Sequence, residues 1–338
     1  MTDGPYKGVR VVVYGVGTMG ALATRLLVEK GADIVGAIAR SPSKIGRDLG
    51  DVAGLGIYLG VLVEDDAERV LSRGADIAVV CVSSYLSAMH THFVTCLKSG
   101  INVVTIEEET VFPWTTAPDH AQALDVLAKA NNVTLAASGA QDVFWLNLVA
   151  TLLGASHKVV KVEGHCRWNV DDYGTEVANH LLIGQSKVAF DKLVETSGWP
   201  EFVARQTLEA LVARLGLQVA SIVSNVTAVT SGQPVFCRSL AQDIPSGHVV
   251  GTIDRTMVTT QEGPRFEFAM EGRLYREGET DTNSWQVQGE PALEFKCDNA
   301  NYRFTTCSTL INRVPDVIAA PPGLCSLDML PPPAYRHH

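Results

Sequence analysis

An apolar, β-branched run, Val11-Val12-Val13-Tyr14, leads directly into Gly15-Val16-Gly17-Thr18-Met19-Gly20. The chain then continues with helical periodicity through Ala21-Leu22-Ala23-Thr24-Arg25-Leu26-Leu27. A buried strand, a G-x-G-x-x-G turn and a helix in this order form a dinucleotide-binding unit. Gly15 allows the tight turn, Gly17 lets the backbone approach a pyrophosphate, and Gly20 lets helix and strand pack closely. The free N–H groups and positive dipole end of the helix then face the phosphates. Thr18 and Met19, inside the turn, belong to the same binding surface.

The next strand, Asp33-Ile34-Val35-Gly36-Ala37-Ile38-Ala39, ends in Arg40-Ser41-Pro42-Ser43-Lys44. An Asp or Glu at this strand end is what bonds the ribose 2′-hydroxyl of NAD. None stands here. Arg40 is instead suited to stack on the adenine and pair with a 2′-phosphate, with Ser41 and Lys44 as further donors. NADP is the expected cofactor, with NAD as the alternative. A merely solvated basic turn is the blander reading of the same residues.

Of the 338 residues, 46% are hydrophobic and 19% charged, enough for a large core and, by length, two domains or one large domain with an insertion. No apolar stretch approaches the roughly 18 residues of a membrane span, and Met1-Thr2-Asp3-Gly4-Pro5-Tyr6-Lys7 lacks a signal-peptide core. A cytoplasmic setting is the resulting expectation. The net charge of −10 and the lack of a Lys/Arg cluster argue against nucleic acid. The seven cysteines are scattered, without C-x-x-C or Cys/His zinc spacing, and read as reduced structural thiols; no metal is expected. His337 and His338 read as the stub of a purification tag and enter no functional argument.

Up to about residue 140, apolar strands alternate with helical segments, which predicts a doubly wound parallel sheet. Asp76–Val82 is one strand, running through Ser83-Ser84 into a helix over Tyr85–Lys98 that stops at Gly100. Asn102–Ile106 and Val133–Ala137 are further strands, with a helix over Ala121–Ala130 between them. Ser83, Ser84 and Gly139 follow strand ends, and are expected beside the cofactor. After about residue 155 the pattern changes to α+β. Strands are expected at Lys158–Asn169, Gln218–Thr230, Gly247–Thr260, Pro264–Met270 and Ala292–Lys296, and helices at Ala178–Val194, Phe202–Leu215 and Thr309–Ile318. The expected fold is thus an N-terminal Rossmann parallel sheet followed by an α+β domain on a mostly antiparallel open sheet. The domains are placed at 1–145, with 305–338 packing back on it, and at 146–304.

Glu107-Glu108-Glu109 directly follows a predicted buried strand, at the carboxyl edge where ligands bind in open α/β folds. On an extended chain Glu107 and Glu109 face one side and Glu108 the other, so at least one points to the cleft. Burial raises such a carboxyl toward the working range of an acid/base. It then suits removing a proton from ammonium or an amine and stabilising an iminium. Phe144, Trp145, Trp168 and Tyr173 are candidates for an apolar substrate wall, although each could equally be core. His165, His180, His248 and Cys307 read as structural.

The fingerprint, the Asn102-Val103-Val104…Glu108-Glu109…Phe112-Pro113-Trp114 stretch and Ala319-Ala320-Pro321-Pro322-Gly323-Leu324 resemble the 2,4-diaminopentanoate dehydrogenases and related native amine dehydrogenases, distant relatives of dihydrodipicolinate reductase. The resemblance is most specific over residues 100–145 and loose from about 195 to 300. It implies NAD(P)H-dependent reductive amination of a ketone or aldehyde by ammonia, reversible as oxidative deamination, in a homodimer joined through the substrate sheet. Anchored on Pro113, it places the catalytic glutamate at Glu108. The His-His-x-x-Lys block of dihydrodipicolinate reductases has no counterpart: the nearest stretch is Gly164-His165-Cys166-Arg167-Trp168-Asn169. Arg167 is the only basic residue placed to anchor a carboxylate, so a small or apolar carbonyl is favoured over a diacid. The alternatives are 2,4-diaminopentanoate itself, another NADP-dependent carbonyl reduction, and a non-catalytic NADP-binding sensor.

Overall fold

The computed structural model describes residues 4–200 and 203–337. The expected helix start at Phe202, the opening Met1-Thr2-Asp3 and His338 lie outside them. The chain divides into two compact units, residues 1–143 with 304–338, and residues 144–303.

The first unit is built on β1 (Arg10–Tyr14), β2 (Asp33–Ile38), β3 (Val63–Glu64), β4 (Ile77–Val80), β5 (Asn102–Thr105) and β6 (Thr134–Ala137). The connecting helices are α1 (Thr18–Glu29), α2 (Leu49–Val52), α3 (Ala67–Leu71), α4 (Leu86–Lys98) and α5 (Pro118–Ala130). Four-residue strands such as Ile77–Val80, fully buried along their length, have the uniform apolar character of a parallel sheet covered on both faces. Local chemistry fixes the helix starts. The Asp48 carboxylate accepts from the Gly50 N–H at 2.9 Å and Asp66 from the Arg69 N–H at 3.0 Å, while Pro118 occupies the first turn of α5.

In the second unit α6 (Leu148–Leu153), β7 (Lys158–Asn169), α7 (Thr175–His180), α8 (Lys187–Ser197) and α9 (Ala204–Arg214) precede a run of strands. These are β8 (Val219–Thr230), β9 (Val235–Cys237), β10 (Gln242–Ile244), β11 (Val249–Thr260), β12 (Arg265–Arg273), β13 (Thr282–Glu290) and β14 (Leu293–Cys297). Five of them join β7 in one six-stranded sheet in the order β14-β13-β7-β12-β11-β8, antiparallel except where β12 runs parallel to β7; β9 and β10 pair separately. Trp285, Phe266 and Phe268 are fully buried on one face, to which α9 belongs. The opposite face carries the alternate residues, among them Lys161, Glu163, Glu267 and the exposed Met257 and Val223.

The chain ends with α10 (Tyr302–Asn312), α11 (Val314–Ala319) and β15 (Gly323–Cys325). β15 adds to β6, giving a seven-stranded parallel sheet in the order β15-β6-β5-β4-β1-β2-β3.

Several expected elements are corrected. The single helix over Ala178–Val194 is two, because Leu182 (φ 57°) and Gly184 (φ 88°) turn the chain and Ser186 caps α8 afresh through the Ala189 N–H at 3.2 Å. The helix over Thr309–Ile318 is also two, divided at Arg313 with Pro315 in the first turn of α11. The strands β13 and β15 were not expected. The first is polar at every second position and the second is only three residues long, so neither gives a strong periodic signal.

Candidate active site

Register places the site residues. Tyr14 pairs with Ile38 on one side and Val80 on the other, Val80 pairs with Thr105, and Thr105 with Ala137. The four loops that follow β1, β2, β4 and β5, and the one after β6, therefore leave the same edge of the sheet. Gly15–Gly20, Arg40–Lys44, Ser83-Ser84, Glu107–Glu109 and Gly139 gather there. Strand order reverses between β1 and β4, the switch point at which open α/β sheets bind ligands.

The glycines divide into two kinds. A Cβ on Gly15, which has φ 95°, would lie 2.3 Å from the Cys81 carbonyl oxygen, and one on Gly20 would lie 1.8 Å from the Gly15 oxygen. Both are demanded by the turn itself. Gly17 is exposed and nothing lies within 4 Å of its Cβ position. Gly17 caps α1, which has no side-chain cap and no acidic residue in its first turn, so its N–H groups are open to an anion. Thr18 is exposed on this turn and Met19 partly so. Cys307, fully buried, donates its thiol to the Met19 carbonyl at 3.4 Å, a structural contact.

At the end of β2, Arg40 is exposed and its Nη2 lies 3.3 Å from His92 Nε2. Lys44 reaches across to the turn and donates to the Val16 carbonyl at 2.6 Å, and Ser41 Oγ lies 2.9 Å from Ser43 Oγ. No carboxylate stands at this strand end. The nearby Glu64 of β3 is held by Arg69 at 2.7 Å and Arg73 at 2.6 Å. The donor set and the open turn fit a dinucleotide.

The three glutamates have separate tasks. The chain does not stay extended after β5 but enters a 3₁₀ turn over Glu109–Val111, so simple alternation does not apply. Glu107 is fully buried and closes that turn: its carboxylate accepts from the Glu109 N–H at 2.8 Å, the Thr110 N–H at 2.9 Å and the Thr110 hydroxyl. Glu109 reaches the start of α4, where its Oε2 accepts from the Leu86 N–H at 3.0 Å. Glu108, partly exposed, lies between them with Ser84 as a hydrogen-bond donor. Desolvation pushes the Glu108 carboxyl up to about 7, against the pull of Ser84. Burial likewise pushes Glu107 up to about 8, against its three donors. Tyr85, beside Glu108 and Glu109, is raised by burial first and by these two charges second.

Beyond β6, Gly139 is buried with φ 157°, and its Cβ position is 2.8 Å from Gln141 Oε1. Ser138 Oγ donates to Asp142 at 2.9 Å, and Asp142 is held in turn by Arg313. Sequence reading did not find this pair, nor His92, which looks like any apolar-face position of α4.

The aromatic candidates fall into two groups within the second unit. Trp145 is buried, its ring 5.2 Å from Phe268 and 5.6 Å from Tyr302, and Phe144 meets Tyr302 edge-on at 5.9 Å. Trp168 and Tyr173 form a separate edge-to-face pair at 5.2 Å, both partly exposed, with the Trp168 ring against Gly272. Tyr302, missed in the sequence, thus organises the first group. Arg167 lies 5.9 Å over the Tyr275 ring, and His165 Nε2 is 3.3 Å from Glu271. His180 packs 5.8 Å from Trp199, while His248 lies 3.4 Å from the Ser246 carbonyl. No group of three or more His, Cys, Asp or Glu side chains suited to a metal occurs among the described residues.

The 2,4-diaminopentanoate dehydrogenase C-terminal domain matches residues 144–336. The amine dehydrogenase of Mycobacterium smegmatis is 44% identical over 97% of both chains, with a TM-score of 0.93. The chain belongs to the 2,4-diaminopentanoate dehydrogenase family. The curated 2,4-diaminopentanoate dehydrogenase of Acetoanaerobium sticklandii is 26% identical over 191 residues, 55% of this chain and 54% of that protein; the match spans about half the length of this curated relative. An oxidoreductase from Agrobacterium radiobacter, solved with NAD+, L-tartaric acid and magnesium, is 12% identical with a TM-score of 0.59 over 95% of this chain and 93% of that chain. At that identity only the fold is shared. Family membership agrees with the Rossmann-like sheet and the second mixed sheet. Among the described residues, no helix of this family member is long and apolar enough to cross a membrane.

Proposed function

We propose that the chain is an NAD(P)-dependent amine dehydrogenase that interconverts small ketones or aldehydes, together with ammonia, and the corresponding primary amines. The observation that carries this reading is the division of labour among the glutamates. Glu107 and Glu109 are committed to closing a turn and a helix, while Glu108 is left at the ligand edge with its carboxyl raised to about 7. A carboxyl ionising near neutrality takes up and returns a proton within one turnover. As a base, Glu108 removes a proton from ammonium or from the carbinolamine nitrogen. Glu108 returns that proton to the carbinolamine hydroxyl, which leaves as water, and the regenerated carboxylate stabilises the positive charge of the iminium.

When bound, the nicotinamide supplies or accepts the hydride. Gly15, Gly17, Thr18, Met19 and Gly20 hold the pyrophosphate of the dinucleotide, and Ser83, Ser84 and Gly139 line the same sheet edge. Arg40, Ser41 and Lys44 favour NADP over NAD through the 2′-phosphate. Phe144, Trp145, Trp168 and Tyr173 are assigned to the apolar side of the substrate. Arg167, 5.9 Å over the Tyr275 ring, is the one basic residue considered for a carboxylate anchor, and short alkyl carbonyls are favoured over diacids. The working assembly is a homodimer formed through the polar face of the six-stranded sheet, in a cytoplasmic setting. Sedimentation of the purified chain checks the dimer, and a monomer at micromolar concentration removes it.

The decisive assay follows NADPH oxidation at 340 nm across small ketones and aldehydes, with and without high ammonium, with amine identified as product. Consumption that depends on ammonium and yields amine supports the reading. Consumption independent of ammonium makes the protein a carbonyl reductase, and tight NADPH binding with no turnover makes it a sensor.

A further inference from the structure

Arg40 does not stand alone at the end of β2. Its Nη2 lies 3.3 Å from Nε2 of His92, and His92 Nδ1 lies 2.7 Å from the Tyr14 hydroxyl, with the two rings edge-to-face at 5.0 Å. A guanidinium has donors only, so His92 Nε2 accepts and its proton sits on Nδ1, facing Tyr14. His92 is 6% exposed and Tyr14 7%, so this tautomer is set by protein groups rather than by water. The three residues come from three elements. Tyr14 is the last residue of β1, one step before the glycine turn; Arg40 follows β2; and His92 projects from α4.

We propose that His92 is a positioning residue for cofactor choice: oriented by Tyr14, its imidazole holds the Arg40 guanidinium at the end of β2 in the attitude that receives the 2′-phosphate of NADP. One Nη2 hydrogen is spent on His92. Nε, Nη1 and the other Nη2 hydrogen remain as a planar fork, and a fork already fixed loses less side-chain freedom on meeting a phosphate. The groups around His92 are consistent with a neutral ring. Burial first, and Arg40 second, lower the His92 pKa, while burial holds the Tyr14 hydroxyl and Cys96 thiol protonated, each raised to about 12. A protonated His92 would lose its acceptor and set a second cation against Arg40. The proposal rests on the reading that Arg40 faces the 2′-phosphate.

The test is equilibrium titration of the full chain with NADPH and with NADH, read by calorimetry. H92F keeps a ring but removes the acceptor; it should weaken NADPH binding roughly tenfold, the scale of one lost charge-assisted bond, and leave NADH nearly unchanged. H92Q, whose amide oxygen accepts from a guanidinium, should recover most of that loss. Y14F frees the imidazole and should shift the NADPH-to-NADH affinity ratio in the same direction by less, and it serves if H92F fails to fold. Equal weakening of both cofactors, no change in either, or tighter NADPH binding in H92F each overturn the role of His92. R40A separates the two ideas. If R40A erases the preference for NADPH while H92F and Y14F leave it unchanged, only the His92 inference fails. If R40A leaves the preference intact, the assignment of Arg40 fails as well.

Discussion

Arg313 and Asp142 form a two-pronged ion pair with neither side chain exposed: Nε lies 2.7 Å from one carboxylate oxygen and Nη2 lies 2.8 Å from the other. The pair joins the start of the segment after β6 to the junction of α10 and α11, 171 residues apart. Arg313 also donates to Asp316 at 3.2 Å and to the Pro331 carbonyl at 2.5 Å, and Ser138 donates to Asp142. The loop that carries Gly139 is thereby fastened to the C-terminal segment.

Breaking this pair should be costly. Arg313→Met leaves Asp142 charged, dry and short of two donors, and the expected loss is about 3–5 kcal/mol in urea unfolding. The double change R313M/D142L should lose less than R313M alone, because no unpaired charge remains. Equal losses would mean that packing, not charge, is what the pair supplies.

The three glutamates should separate in a substitution series. Glu108→Gln is expected to lower kcat by about 10²–10⁴-fold while leaving NADPH affinity and thermal stability unchanged. Glu107→Gln offers one acceptor oxygen where two serve three donors, and should cost about 1–3 kcal/mol of stability. Turnover unchanged in E108Q would remove that carboxylate from the chemistry.

The pH profile follows from the raised carboxyl. Glu108 acts as a base in its ionised form, and desolvation lifts its ionisation to about 7. The kcat/KM for reductive amination should therefore rise with pH through that value with unit slope, then level off. Ser84 favours the ionised form, so Ser84→Ala should move the limb to higher pH. A limb that stays in place in S84A, or that survives in E108Q, assigns it to another group.

The glycine turn predicts two different phenotypes. Gly20→Ala puts a Cβ against the Gly15 carbonyl and should destabilise the fold itself. Gly17→Ala meets no protein atom, so its melting temperature should match the parent's. It should nonetheless lose dinucleotide affinity, because the added methyl stands where the pyrophosphate must approach. Undiminished affinity in G17A would place the phosphates elsewhere.

Much of the nucleotide-binding unit is legible in sequence because its signals are local. A β-branched run, a G-x-G-x-x-G turn and a periodic helix are each read within about ten residues, and the loops after β4, β5 and β6 follow from buried apolar strands. The second unit is less legible. Its strand β13, Thr282–Glu290, shows Thr, Ser and Gln on one face, and its apolar face is made visible only by Phe268 stacking 5.0 Å from Trp285.

By itself the sequence determined the dinucleotide turn, the cationic end of β2 and a carboxylate cluster at the ligand edge, since neighbouring residues define each. The tertiary structure alone decided how Glu107 and Glu109 are spent, on a 3₁₀ turn and on the N-terminus of α4, 23 residues earlier. It alone paired Asp142 with Arg313 and set His92 between Tyr14 and Arg40. Hydrogen-bond partners of buried polar groups are chosen by how distant segments pack, and no local pattern of residues carries that choice.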